Sequence, residues 1–407
     1  MENASERKAK CDALKLEVNY MNRKPFQLLT GAIVAAALAG SAIAQGDPIV
    51  IGVPTGLSGA NSTVAPAVVQ SSELAVAEIN AEGGILGREV RLEVADDESS
   101  AAGAQRAFDD LIFDRNVDAI ISMETSAARN AGLPIVERGQ VPYIYTSLYE
   151  GQSCNQYLYA NGAVPQQMVG PIVDQFMNND GAKRFFLVGS DYAFGRGMLE
   201  FTRNYIEQAG GEVVAEEYQP INATDWTTVI TQMRRSQPDA VIMSTAGGAP
   251  NVTLQRQYKA AGMEALVGNL SVEELTAQAM GEDAEGIYIS ASYLTQIDTD
   301  RNRDFLARMK EKFGDDYRMP NDLSAPQYDA IYLYKAAIEM AGTTDTDAVI
   351  DALDDVSFTG PRGTVQMNHQ RHAPLTMRLG RVQADGSVEV VEVFENVNPG
   401  DQCPDPS

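Results

Sequence analysis

"IVIGVPTGLSGANS" (residues 49–62) runs from a β-branched segment into a loop carrying Gly56 and Gly59, and its reading decides the fold. A strand, a glycine loop and then a helical pattern open a βαβ unit. The glycines at 52, 56 and 59 miss the G-x-G-x-x-G spacing, and no G-K-[ST] follows, so the loop is not read as a phosphate cradle. The acid some twenty positions on, Glu73, falls inside the following helix rather than at a second strand end. The loop still leaves the carboxyl end of a central strand, the edge where open α/β sheets hold ligands. Ser58 within it is therefore a candidate ligand contact.

The same alternation continues outward. Residues 65–84 place Val68, Ala75, Val76 and Ile79 on one helical face and stop at Gly83-Gly84. Strand-like runs at 88–95, 117–122 and 141–147 alternate with helical runs at 101–115 and 126–139. The pattern restarts with helices near 167–181, 194–211, 224–237 and 250–262 and strands near 182–190, 212–218 and 238–245. Two successive doubly wound α/β units imply two similar lobes. Residues 301–354 are then mostly helical. Residues 373–395 have period-two stretches around Ala384-Asp385-Gly386, a hairpin. Neither tail segment is a domain by itself, so each must complete a lobe.

At 407 residues and 44% hydrophobic content the chain can bury two cores. Its net charge of −25, with no clustered Lys/Arg, excludes nucleic acid as a partner. Residues 21–44 carry Arg23 and Lys24, an alanine-rich apolar stretch, and Ala42-Ile43-Ala44 before Gln45. That is a secretory leader with translation from Met21 and cleavage near Ala44/Gln45. The stretch is too short and too rich in small residues for an anchor, so no membrane insertion is expected after processing. Four acids and six bases leave with residues 1–44, so the exported chain is more acidic still. Cys11 leaves too. Cys154 and Cys403 remain, and in an oxidising compartment a disulfide is the expectation, against the alternative of two free thiols.

Candidate binding residues sit at strand ends. In "SMETSAARN" (122–130) a strand gives way to a helix near Ser126, whose hydroxyl and first N–H groups suit a carbonyl or carboxylate oxygen. Tyr145 and Ser147 end the next strand at the same edge. In "GSDYAFGRG" (189–197), Tyr192 or Phe194 can project from the second lobe. Glu124 either faces solvent or enters the cleft, where it needs a hydrogen-bond donor. Asp96, Asp97 and Glu98 read as a solvated acidic loop. There is no G-x-S-x-G, no metal-spaced histidine pair and no Cys–His arrangement, so no catalytic residue, metal or cofactor is expected.

These residues resemble the type I periplasmic solute-binding proteins, more narrowly the branched-chain amino acid, amide and urea group that serves ABC importers. The likeness covers nearly all of residues 48–398. It rests on "IGVPTGLSG", "AVAEINAEGGILGREVRLEVADDES", "GSDYAFGRG", "DAEGIYISASYL" and "GPRGTVQMN", with "NAEGGILGR" and the following "DDES" the most specific. "SAARNAGLPIVERGQVPYIYTSLYEG" is similar to the amide and urea branch.

The resemblance implies two lobes joined by three hinge crossings near 160, 291 and 363. Lobe 1 would comprise 47–160 plus 292–362, lobe 2 161–291 plus 363–398, and a tail 399–407. It implies a ligand held by Ser126, Tyr145, Ser147 and Tyr192 or Phe194, hinge closure, and docking on an inner-membrane ABC permease. Amino-acid binders of the group place an acid near the end of the strand in "LVGNLSVEEL"; here stand Asn269, Leu270 and Ser271, with Glu273 and Glu274 reading as helix-surface residues. Glu124 stands where the amide branch has an aromatic. An amide or urea ligand is therefore expected first, an amino acid second. An exported sensor of the same fold is the rival role, and neighbouring permease genes would separate the two.

Overall fold

A computed structural model describes residues 46–403. The leader and its cleavage site, Cys11 and residues 404–407 of the tail lie outside the described residues. The elements in chain order are β1 (Ile49–Thr55), α1 (Ala65–Ala81), β2 (Val90–Asp96), α2 (Ala101–Asp109), β3 (Ala119–Ser122), α3 (Ser126–Gly139), β4 (Tyr143–Tyr145) and β5 (Leu158–Ala160). Next come α4 (Pro165–Asp174), β6 (Arg184–Ser190), α5 (Ala193–Gln208), β7 (Glu212–Gln219), α6 (Thr227–Ser236), β8 (Ala240–Ser244), α7 (Ala249–Ala260), β9 (Leu266–Asn269), α8 (Glu274–Met280) and β10 (Tyr288–Ala291). The chain ends with α9 (Asp300–Phe313), α10 (Ala325–Ala341), α11 (Thr346–Leu353), β11 (Ser357–Gly360), β12 (Gly363–Gln366), β13 (Leu375–Val382) and β14 (Val388–Val397).

Two sheets organise these elements. The first has order β2-β1-β3-β4-β5, parallel throughout. The second has order β14-β13-β10-β9-β8-β6-β7, with β6 to β10 parallel and the β13–β14 hairpin antiparallel at one edge. The central strands β3 and β8 are buried along their whole length, because helices cover both faces of such sheets. Helices α2 and α3 pack together, while α1 packs against α9 and α10. The late helices thus return to the first sheet, and the late hairpin extends the second. This is the α/β architecture of two doubly wound lobes that the alternation of the sequence implies.

Local chemistry explains the boundaries that matter. Val68, Ala75, Val76 and Ile79 are all buried under α1. At the end of that helix Gly84 has φ +78°, and a Cβ there would stand 1.8 Å from the Arg88 carbonyl oxygen, so only glycine fits. Cys154 and Cys403 form a disulfide with their Cα atoms 5.5 Å apart, joining the segment before β5 to the C-terminal tail. Among the described residues no helix is long and apolar enough to cross a membrane.

Two acidic readings need correction. Asp97 is not solvated: it is buried, and its Oδ1 accepts from the Ser99 N–H at 2.6 Å. Glu273 and Glu274 are not on a helix surface. Glu273 caps α8 by accepting from the Leu275 and Thr276 N–H groups, and Glu274 accepts from the N–H and hydroxyl of Thr295. Both are buried, because α8 tucks its first turn inward rather than presenting it to water.

Candidate functional site

The carboxyl ends of β1, β3 and β4 in the first sheet face those of β6, β8 and β9 in the second across one small cavity. Glu124, Ser126, Tyr145 and Ser147 line it from one side, Tyr192 and Phe194 from the other. Those six come from three separate segments of the sequence. Asn61, Thr245 and Ser271 add polar groups, and Met123, Leu148 and Leu323 add apolar ones. The cavity volume is about 40 Å³. At roughly 10–15 Å³ per water that is room for a few waters with the walls where they stand.

Ser58 is not among the lining residues. Its side chain is exposed, its N–H donates to Asp96 Oδ1 and its carbonyl accepts from Ser99. The loop turns outward there because Gly56 lies against the 97–99 turn: a Cβ on Gly56 would stand 2.2 Å from Ser99 Oγ. That contact accounts for the glycine without any phosphate. Asn61, five residues further along, is the loop residue that reaches the cavity, and its own N–H donates to Ser99 Oγ at 3.0 Å.

The hydroxyls are committed differently from the expectation. Thr125, not Ser126, caps α3, its side chain accepting from the Ala128 N–H at 3.1 Å. The Ser126 hydroxyl donates to Glu150 Oε2 at 2.5 Å. Arg129 Nη2 meets Glu150 Oε1 at 2.6 Å, and its guanidinium lies over the rings of Tyr145 and Tyr149, 5.0 and 4.6 Å from their centroids. The Tyr145 hydroxyl donates to the Glu124 carbonyl at 2.8 Å. Ser126 and Tyr145 thus hold the wall in shape, and what they offer a ligand is a lone pair and a ring face. Arg129 and Glu150 were missed because nothing in one-dimensional spacing brings position 150 back to the start of α3.

Glu124 is the anomaly. It is 1% exposed, and neither carboxylate oxygen has a hydrogen-bond partner. The Ser122 hydroxyl, which could reach towards it, donates to the Pro54 carbonyl instead. Burial raises the Glu124 pKa well above the ordinary carboxylate range, nearby Asp97 raises it further, and Arg129 only partly opposes this. Burial likewise pushes Asp97 up to about 7, with Oδ2 unpartnered. A buried carboxyl with no donor is costly, and in a cleft such a group is a candidate for a ligand contact.

On the opposite wall Thr245, Asn251, Asn269 and Ser271 form one hydrogen-bonded network. Asn251 Oδ1 accepts from Thr245 Oγ1 at 2.6 Å and from Asn269 Nδ2 at 3.0 Å, while its Nδ2 reaches Ser271 Oγ at 3.1 Å. Asn269 Oδ1 in turn accepts from the Ser271 N–H. These partners come from two loops, helix α7 and the end of β9, so the wall is pre-organised. Among the described residues no cluster of His, Cys, Asp and Glu could hold a metal ion.

Residues 48–387 match the periplasmic binding protein family. Among curated proteins, the chain is 23% identical over 261 residues to the Leu/Ile/Val-binding protein homolog 6 of Brucella melitensis, covering 61% of this chain and 66% of that one. It is 24% identical over 350 residues to homolog 7 of Brucella suis, covering 80% and 85%. Among solved structures, a solute binding protein of an ABC transporter from R. palustris in complex with benzoate superposes with TM-score 0.78 at 19% identity, covering 87% of this chain and 98% of that one. The branched-chain amino acid transporter substrate binding protein LivJ of Streptococcus pneumoniae, in complex with isoleucine, gives TM-score 0.74 at 23% identity, covering 85% and 99%.

Proposed function

The chain belongs to the periplasmic binding protein family, and from that premise we propose that it is the exported solute-binding component of an ABC importer for a small amide- or urea-like compound. The observation that carries this reading is the unpartnered carboxyl of Glu124, a residue that lines a cavity of about 40 Å³. An amide or urea N–H₂ supplies the donor that Glu124 lacks, and its carbonyl oxygen turns to the Ser147 hydroxyl and the first N–H groups of α3. Urea and acetamide each have four heavy atoms, in proportion to the space; leucine and benzoate have nine each and require the walls to part.

Capture follows from the division of the wall between lobes. We take lobe 1 as residues 47–160 plus 292–362 and lobe 2 as 161–291 plus 363–398, with the ligand bridging them and stabilising the closed form. The closed form then docks on the permease. An amino acid is the second reading, supported by the Leu/Ile/Val-binding relatives and by the capacity of Glu124 to pair with an ammonium group.

Calorimetric titration of urea, acetamide, L-leucine and benzoate, at pH 6 and pH 8, tests the assignment. A ligand that donates to Glu124 binds the ionised carboxylate, so its affinity rises with pH. A carboxylate ligand such as benzoate needs a protonated Glu124 and shows the reverse. Benzoate binding more tightly at pH 6, with urea and acetamide inert, defeats the amide reading.

A further inference from the structure

Two glycines of the second lobe touch the first. Gly197 lies in α5, one turn beyond Phe194; a methyl group built on it would stand 2.6 Å from Glu150 Cβ and 3.1 Å from Cγ. Gly248 precedes α7, and a Cβ there would stand 2.6 Å from the Ala60 carbonyl oxygen. Carbon–carbon contacts are optimal at about 3.5–4.0 Å, so neither position accepts a side chain with the lobes where they are. The cavity lies between these contacts, with Tyr192 and Phe194 near one and Gly247 beside the other.

We infer that Gly197 sets how far the lobes close, and through that the size of ligand the protein retains. This rests on the reading of ligand capture by lobe closure. Glu150 cannot step aside. Its carboxylate is held by Arg129 and Ser126, and the atoms in the way are its Cβ and Cγ, not the movable end of the chain. A methyl at 197 therefore pushes α5 outward and takes Tyr192 and Phe194 with it. Gly248 makes the matching contact, but its φ of +68° strains any side chain, so substitution there mixes two effects. Gly197 is helical, and alanine suits a helix better than glycine. The two consequences have opposite sign: the ligand-free protein is as stable or more so, while the closed complex is weakened.

The test is Gly197→Ala beside the parent and a control, Glu200→Ala, on the exposed side of the same helix. Melting without ligand, titration with urea, acetamide, L-leucine and benzoate, and small-angle scattering at saturation are recorded for each. Gly197→Ala is expected to melt no lower than the parent, to bind the parent's tightest probe at least tenfold more weakly, and to show a larger radius of gyration with that probe; Glu200→Ala behaves as the parent. Parent-like affinity and radius in Gly197→Ala overturn the inference and leave capture by closure standing. A parent that neither binds nor compacts with any of the four overturns capture by closure itself, and this inference with it. A Gly197→Ala that melts lower than the parent shows a packing role and also overturns it; Gly197→Ser is measured alongside to separate the added volume from the methyl group.

Discussion

Arg362 Nε donates to Asp329 Oδ2 at 2.6 Å, with the two side chains 1% and 0% exposed. The same guanidinium reaches Ser292 Oγ at 3.1 Å and the Asn161 carbonyl at 2.9 Å. Asn161 follows β5, Ser292 follows β10 and Arg362 precedes β12, so one side chain ties together three segments far apart in the sequence. Removing one partner of a buried pair strands the other charge. Arg362→Met should therefore cost about 3–5 kcal/mol in urea unfolding, and Arg362→Met with Asp329→Leu should recover most of that loss. If the double variant is no more stable than the single one, the packing around the guanidinium matters more than its charge.

Glu124→Gln should separate stability from function. It replaces a buried carboxyl lacking any donor with a neutral amide, so the ligand-free protein should gain about 1–3 kcal/mol. Binding should weaken, and more for an ammonium ligand than for a neutral amide, because only the cation loses a charge-assisted bond. Thermal unfolding and calorimetry on the same preparation report both quantities. A destabilised Glu124→Gln with unchanged affinity would place the site elsewhere.

Stability should fall as pH rises from about 5 to about 7.5. Burial pushes Asp97 and Glu274 up to about 7, and Glu124 shifts the same way. Between an ordinary carboxylate pKa and these raised values the folded state holds more protons than the unfolded one, so raising the pH favours unfolding. His372 opposes this: burial pushes its pKa down to about 4, so its contribution is present above the ordinary histidine value and is lost as pH falls through that window. Three carboxyls outweigh one imidazole. Melting temperatures across the range in dilute buffer should show the decline, and Asp97→Asn should flatten it.

Reducing the Cys154–Cys403 bond should destabilise the chain by about 3–5 kcal/mol, because it closes a very long loop in the unfolded state. Gln402 beside it already anchors the tail, its Oε1 accepting from the Gln152 N–H at 2.9 Å and its N–H donating to Gln370 Oε1 at 2.7 Å. The reduced protein should therefore keep its native circular dichroism and unfold at lower urea. An unchanged midpoint after reduction contradicts the prediction.

Alternation of β-branched runs with amphipathic ones was enough to specify two doubly wound lobes, because a 2.0 or 3.6 residue period is a local property that burial of one face enforces. The strand-end rule brought Glu124, Ser126, Tyr145, Ser147, Tyr192 and Phe194 to the rims that line the cavity, since residues that end parallel strands gather at one rim. Ser58 failed because its direction depends on how closely Gly56 approaches Ser99, a contact forty-three positions apart that no local pattern encodes. The same holds for the partners of Ser126 and Tyr145, for the burial of Asp97, Glu273 and Glu274, and for Arg362 reaching Asn161 and Ser292. Sequence determined which strand ends come together, and with them six of the side chains that line the cavity. Only the tertiary structure decided which hydroxyls are already bonded and which carboxylate is left without a donor, because hydrogen-bond satisfaction depends on groups distant in the chain that meet only once the lobes are packed.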